Sequence, residues 1–160
     1  MEKDRVYSRG LEVMEENFGH VVEMSLGSAA DGEVEVRDVN AYYADGKIYV
    51  LSKAANTLMR HVAKCQSVGL CRGSHKMQGV ARSLGHPLDA GNAELRKQLK
   101  KEFSLNYDEY VSESNPDMRI VEITLTKAET FTNYHRYRID FVNKRAERDH
   151  TEPLFRFRPL

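Results

Sequence analysis

No apolar run in this sequence is long enough to span a bilayer, and its start, MEKDRVYSRG, lacks the apolar core of a signal peptide. Both absences lead to the expectation of a cytoplasmic protein with no membrane partner. Cysteine is scarce: Cys65 and Cys71 are too few for a disulfide framework and read as reduced, buried thiols. Net charge is absent, because 24 basic side chains balance 24 acidic ones with no dominant block of one sign. Nucleic acid is therefore not the expected partner, since it selects a concentrated basic footprint. Lys144, Arg145, Arg148, Arg156 and Arg158 make the end of the chain locally basic, as a solvated terminus does. Catalytic spacings are missing too. There is no G-x-x-x-x-G-K-[ST] phosphate loop, no arguable Ser-His-Asp arrangement, and Glu15 and Glu16 sit on a solvated helix face. His61, Cys65, Cys71 and His75 are zinc-type ligands, but the gap between the cysteines and the strand position of Cys71 argue against a tetrahedral site.

What is present is a clear pattern of short elements in 160 residues, enough for one domain with a real core. Tyr7, Leu11, Met14 and Phe18 recur at helical spacing and predict a helix over Asp4–Phe18, although Gly10 inside it costs roughly 1 kcal/mol against alanine. His20–Gly27, Val34–Tyr43 and Ile48–Leu51 read as strands joined by ADGE and ADGK, whose Asp-Gly pairs suit tight primed turns. A helix over Thr57–Lys64 follows, with Leu58 and Val62 on its buried side, then strands over Ser67–Arg72 and Lys76–Leu84. Leu95, Leu99 and Phe103 make the stripe of a helix over Asn92–Phe103. After the loop SESNPD come a strand over Met118–Thr126 and a long final strand over Glu129–Phe141. Tight turns between neighbouring strands favour an antiparallel sheet closed into a barrel, and irregular alternation disfavours a doubly wound fold. Residues 1–142 form the expected single domain and 143–160 a C-terminal tail.

One stretch, LSKAANTLMRHV at Leu51–Val62, raises the functional question. A helix N-terminus leaves N–H groups unpaired and carries partial positive charge, so it binds anions readily. Ser52, Asn56 and Thr57 add hydrogen-bond donors and Lys53 a full charge. The same residues equally describe an ordinary helix start, capped by Asn56 with Lys53 in solvent.

The ordered set GEVEVRDVNAYYADGKIYVLSKAANTLMRHV, SVGLC and KMQGVARSLGHP resembles the FMN-binding split-barrel family typified by pyridoxamine 5′-phosphate oxidase. The resemblance covers roughly Met14–Pro87 and extends more loosely to Phe141. It implies a mainly β fold, an antiparallel split β-barrel of six to seven strands with flanking helices, holding FMN at a homodimer interface. By position, Arg37 would bind the phosphate, and Val39 and Asn40 would line the isoalloxazine. Ser52 and Lys53 match the phosphate-binding end of the third strand, Asn56 and Thr57 the polar turn, and Gln78 a position that approaches the flavin. Where many members carry a basic residue, this chain has Leu58, so Lys53 has to supply that charge. Tyr134 or His135 would reach the flavin of the partner subunit.

The function implied is an oxidoreductase of the nitroimidazole-reductase-like branch. FMN would pass electrons from a reduced nicotinamide or similar donor to a small acceptor, with the flavin rather than a side chain doing the chemistry. The terminal RFRPL echoes the basic C-terminal motif of the oxidase. Two other readings stay open. One is a non-enzymatic flavin- or haem-binding protein on the same barrel, with His20, His75 or His135 as axial ligands; the other is an interaction domain whose cofactor site has decayed, with Leu58 as the hint.

Overall fold

Two Asp-Gly pairs decide the N-terminal half. Asp31 and Gly32 take φ of 51° and 79°, and Asp45 and Gly46 take 49° and 77°, the left-handed pairs that a type I′ hairpin requires. They join β1 (Val22–Ala30), β2 (Glu33–Ala44) and β3 (Lys47–Lys53) into an antiparallel meander that follows helix α1 (Glu2–Phe18). Helix α2 (Thr57–Lys64) leads to β4 (Ser67–Arg72) and β5 (His75–Ser83). Helices α3 (Ala93–Glu102) and α4 (Tyr107–Tyr110) precede β6 (Met118–Phe131), β7 (His135–Asp140) and β8 (Arg145–His150). The structure is a computed structural model that describes residues 1–104 and 107–151.

The strands hydrogen-bond in the order β3-β2-β1-β4-β5-β6-β7-β8, and β3 also pairs with β6 from Lys47↔Thr124 to Lys53↔Met118. That pairing closes six antiparallel strands into a barrel, with β7 and β8 added outside it. The expected mainly β barrel with flanking helices is the architecture found, with eight strands in all. No helix among the described residues is long and apolar enough to cross a membrane.

The barrel interior is a cluster of fully buried side chains that includes Met24, Leu26, Ile48, Met77 and Ile123. Helix α1 covers it with Gly10, Val13, Met14 and Phe18, while Tyr7 and Leu11 are half-buried at the side. Gly10 has a packing reason: a Cβ there would meet the Ile139 side chain at 3.2 Å, so glycine lets α1 lie close on β7. A second cluster, with Tyr42, Leu99, Phe103, Tyr107 and Ile120, lies under α3 and α4.

Two expectations change in the C-terminal part. The long strand over Glu129–Phe141 does not exist: β6 runs to Phe131, and Thr132–Tyr134 turn the chain back into β7. Thr132 closes the turn, its N–H donating to the His135 carbonyl at 2.9 Å and its Oγ1 accepting the His135 N–H at 3.2 Å. Phe131 and His135 therefore stand on different strands. Residues 145–150, which the sequence places in a tail, form β8 and pair with β7 from Asp140↔Arg145 to His135↔His150. Arg156, Arg158 and RFRPL lie outside the described residues.

Candidate functional site

Strand β2 pairs with β3 only from Tyr42 to Ala44, because β3 beyond that point is carried away along β6. The same edge of β2 from Glu33 to Ala41 therefore has no strand partner among the described residues, and its alternate backbone N–H and C=O groups face the gap. The start of α2 stands opposite. A cavity of about 470 Å³ occupies this split.

Six of the residues singled out in the sequence line it: Arg37, Val39 and Asn40 from β2, Ser52 from β3, and Asn56 and Thr57 at the start of α2. Two do not. Lys53 is exposed and off the cavity wall, and Gln78 lies on β5 beside Val34 and Val80, in a separate shallow hollow. The wall also includes Glu35, Asp38, Leu51, Phe103 and Val111, which sequence reading did not select. Period-two alternation places Glu35 on the same strand face as Arg37, so that residue was findable. Phe103 and Val111 carry no such signal, because they arrive from the distant α3–α4 cap.

Arg37 is the one cation on this wall among the described residues. Its Nη2 and Nε donate to Glu35 Oε1 at 2.8 and 3.3 Å, and its Nη1 donates to Ser28 Oγ at 2.7 Å and to the Leu26 carbonyl at 3.2 Å. The guanidinium holds the Glu35 carboxyl below the usual glutamate range, with a smaller contribution from the Thr57 hydroxyl. Behind Arg37 runs a chain that is buried at Ser28 and His61 and ends in the exposed Glu33: His61 Nδ1 is 2.8 Å from Ser28 Oγ, and its Nε2 is 2.8 Å from Glu33 Oε1. One assignment satisfies every atom. Arg37 donates to Ser28, the Ser28 hydroxyl to His61 Nδ1, and His61 Nε2–H to Glu33.

The start of α2 is not closed by its own cap. Asn56 occupies the N-cap position but makes no side-chain capping bond, and its Nδ2 donates to Ser52 Oγ at 3.3 Å instead. The Met59 N–H returns to the Asn56 carbonyl at 3.0 Å, so among the described residues the Thr57 and Leu58 amides are left for another acceptor, and their partial positive charge adds to that of Arg37. Leu58, the departure noted in the sequence, is buried in the barrel core and also closes the cavity floor.

The cap over the apolar side is pinned by one ion pair. Arg96 grips Glu113 through Nε–Oε1 at 2.6 Å and Nη2–Oε2 at 2.8 Å, and the Tyr107 hydroxyl donates to Oε1 at 2.8 Å. The Arg96 guanidinium first, and the Tyr107 hydroxyl after it, pull the Glu113 carboxyl down to about 2 against burial, and burial pushes the Tyr107 hydroxyl up. The folded chain thus binds this proton less tightly than the unfolded chain. The stabilisation is complete above the ordinary glutamate range and is lost as pH falls toward about 2. Acid unfolding of the wild type and Glu113→Gln should show this: the variant is less stable at neutral pH, and the gap closes between about pH 5 and 2. A gap that stays constant over that window would remove Glu113 from this role.

The remaining chemistry-bearing residues lie elsewhere. Cys65 and Cys71 are exposed rather than buried, because Cys65 follows the end of α2 and Cys71 sits on the outer face of β4. Among the described residues no three His, Cys, Asp or Glu side chains converge as a metal site. Tyr134, at the tip of the β6–β7 turn, and His135, edge-on to His150, are both off the cavity wall. His75 packs edge-on between Phe18 and Phe131 with Nδ1 on Thr130 Oγ1 at 2.9 Å, and His20 is exposed.

No family model matches the sequence, and no curated protein matches it. Solved structures do. An FAD-binding protein from Mesorhizobium loti is 18% identical, with a TM-score of 0.58 over 76% of this chain and 90% of that one. A NimC/NimA family protein from Clostridium acetobutylicum is 14% identical, with a TM-score of 0.54 over 91% and 93%. A general stress protein 26-related protein of the pyridoxinephosphate oxidase family, from the same organism, is 12% identical, with a TM-score of 0.54 over 88% and 98%. What is shared at these identities is the fold, an antiparallel split β-barrel with flanking helices.

Proposed function

We propose that this chain is an FMN-dependent oxidoreductase that works as a homodimer. The observation that carries the reading is the cavity in the split. Its volume of about 470 Å³ lies within the roughly 300–1,000 Å³ of ordinary cofactor pockets. Its lining includes Arg37, Ser52 and Thr57 at the uncapped start of α2, which suit a phosphate. It also includes Val39, Leu51, Leu58, Phe103 and Val111, which suit the face of an aromatic ring system, with the open β2 edge offering backbone groups to the ring's heteroatoms. The residues present fit the cofactor, and the likeness in fold to an FAD-binding and a NimC/NimA family protein supports the same reading. When bound, the flavin supplies the hydride or electron transfer between a reduced nicotinamide or similar donor and a small acceptor.

This chain's residues then bind and orient. Arg37 holds the phosphate, and its chain to Ser28, His61 and Glu33 fixes the guanidinium at the cavity edge. Phe103 and Val111 keep water from the ring side. The homodimer is supported by an unpartnered apolar face: Val34 and Val36 are 72% and 66% exposed on the outer side of β2, near Val80 on β5. Valines standing this far into water on a sheet face mark a contact surface. Gln78 lies on the same face, so its approach to the flavin is proposed to be made across the dimer.

Protein purified from cells and reconstituted with FMN should show a flavin absorption spectrum, sediment at the mass of a dimer, and oxidise NADH or NADPH in the presence of a small acceptor. A sample that stays colourless after reconstitution would sink the flavin reading. A flavin spectrum without turnover over a range of acceptors would leave a binding protein on the same barrel.

A further inference from the structure

Arg37 is already paired with an anion. Glu35 stands two residues before it on the same face of β2 and places Oε1 within 2.8 Å of Nη2. The Thr57 hydroxyl, at the start of α2, helps hold the same carboxylate ionised. These are the groups a phosphate in this cavity would take. The two partners differ in freedom. The Arg37 side chain is 20% exposed, and its Nη1 is bound to the buried Ser28, itself held by the fully buried His61; the Glu35 side chain is 44% exposed, and among the described residues only Arg37 donates a hydrogen bond to it. An incoming phosphate therefore displaces Glu35 and does not recruit Arg37 to a new position.

We infer that Glu35 is an internal stand-in for the ligand's phosphate, and that phosphate-bearing ligands bind this site by exchange with its carboxylate. The inference rests on the proposed flavin site for its natural ligand. It goes beyond that reading by naming the residue that sets how tightly the phosphate, as distinct from the ring, is held. The exchange keeps Arg37 neutralised in the empty site and lowers affinity for the phosphate by the strength of the pair it breaks. It also favours ligands whose phosphate carries two charges over those with a carboxylate, which only replaces Glu35 in kind.

Titrations of the wild type, Glu35→Gln and Asp31→Asn with FMN, riboflavin and inorganic phosphate test it. Asp31, paired with Lys64 on the β1–β2 turn, controls for the same change of net charge away from the cavity. Flavin fluorescence reads the first two ligands, and the Arg37 Nε–H resonance reads all three. Glu35→Gln should bind FMN and inorganic phosphate roughly threefold to tenfold tighter, with riboflavin unchanged and Asp31→Asn like the wild type. If neither flavin binds any variant, the flavin reading fails while the phosphate titration still decides the exchange. Phosphate and FMN affinities unaltered by Glu35→Gln, or matched by Asp31→Asn, would overturn it.

Discussion

Arg37→Ala should lower FMN affinity by roughly 10- to 100-fold and leave riboflavin affinity within about twofold. The size follows from what else can hold the phosphate. Helix-end partial charge contributes about 0.3–1 kcal/mol, and the hydroxyls of Ser52 and Thr57 bring hydrogen bonds but no charge of their own to neutralise the phosphate. A charge-assisted bond from a guanidinium contributes about 1.5–3 kcal/mol, which is the factor expected when each 1.4 kcal/mol is tenfold. No second cation on the cavity wall among the described residues can substitute for it, since Leu58 is apolar and Lys53 points to solvent. Lys53→Ala is accordingly expected to change FMN affinity by no more than about threefold, the scale of an exposed charge.

The riboflavin arm separates the phosphate from the fold. Removing Arg37 also leaves the Leu26 carbonyl and Ser28 Oγ without their donor at the cavity edge, so some loosening of β1 and β2 is expected. If loosening were the main effect, both flavins would weaken together, because the ring shares the same walls. Equal losses for FMN and riboflavin would therefore place Arg37 in the scaffold and not at the phosphate. So would an Arg37→Ala variant that retains FMN as the wild type does.

The parts of this site that were legible in the sequence are those set by local rules. The two Asp-Gly pairs fix both hairpins through positive φ, which in turn places Arg37 on β2 and Ser52 at the end of β3. Polar residues between a strand and a helix also announced the start of α2, although Asn56 bonds to Ser52 and does not cap. Glu35 was in view as the alternate neighbour of Arg37, but nothing local in the sequence turns its carboxylate onto the guanidinium, as the fold does. Phe103 and Val111 were not legible as site residues, since their role comes from how α3 and α4 fold over the barrel. The β6–β7 turn was missed for a similar reason: Thr132 closes it with its own hydroxyl and backbone, without the glycine that marks the β1–β2, β2–β3 and β4–β5 hairpins. Cys71 was misplaced inside because strand propensity says nothing about which face of β4 meets water.

The stretch KMQGVA, one of the segments that carried the resemblance, has a physical reason that predicts the largest stability effect. Gly79 sits where the register between β5 and β6 shifts: Gln78 pairs with Lys127 and Gly79 with Leu125, leaving Thr126 without a partner on β5. Thr126 Oγ1 bonds back to the Gln78 carbonyl at 3.2 Å, which holds the bulge. A Cβ at Gly79 would lie 2.7 Å from Ile123 Cγ2 and 2.7 Å from the Thr124 carbonyl oxygen. Neither can yield easily, as Ile123 is fully buried and Thr124 belongs to the sheet that closes the barrel. Gly79→Ala should therefore cost about 2–3 kcal/mol, as overpacking in a tight core does. For a chain of this length that is a fall in Tm of roughly 4–12 °C. Gly69→Ala is the matched control on β4, because its nearest neighbour would be the Met77 carbonyl at an ordinary 3.8 Å. A Gly79→Ala protein that melts with the wild type, or a Gly69→Ala protein that falls as far, would show that the close approach at the bulge is not what selects glycine.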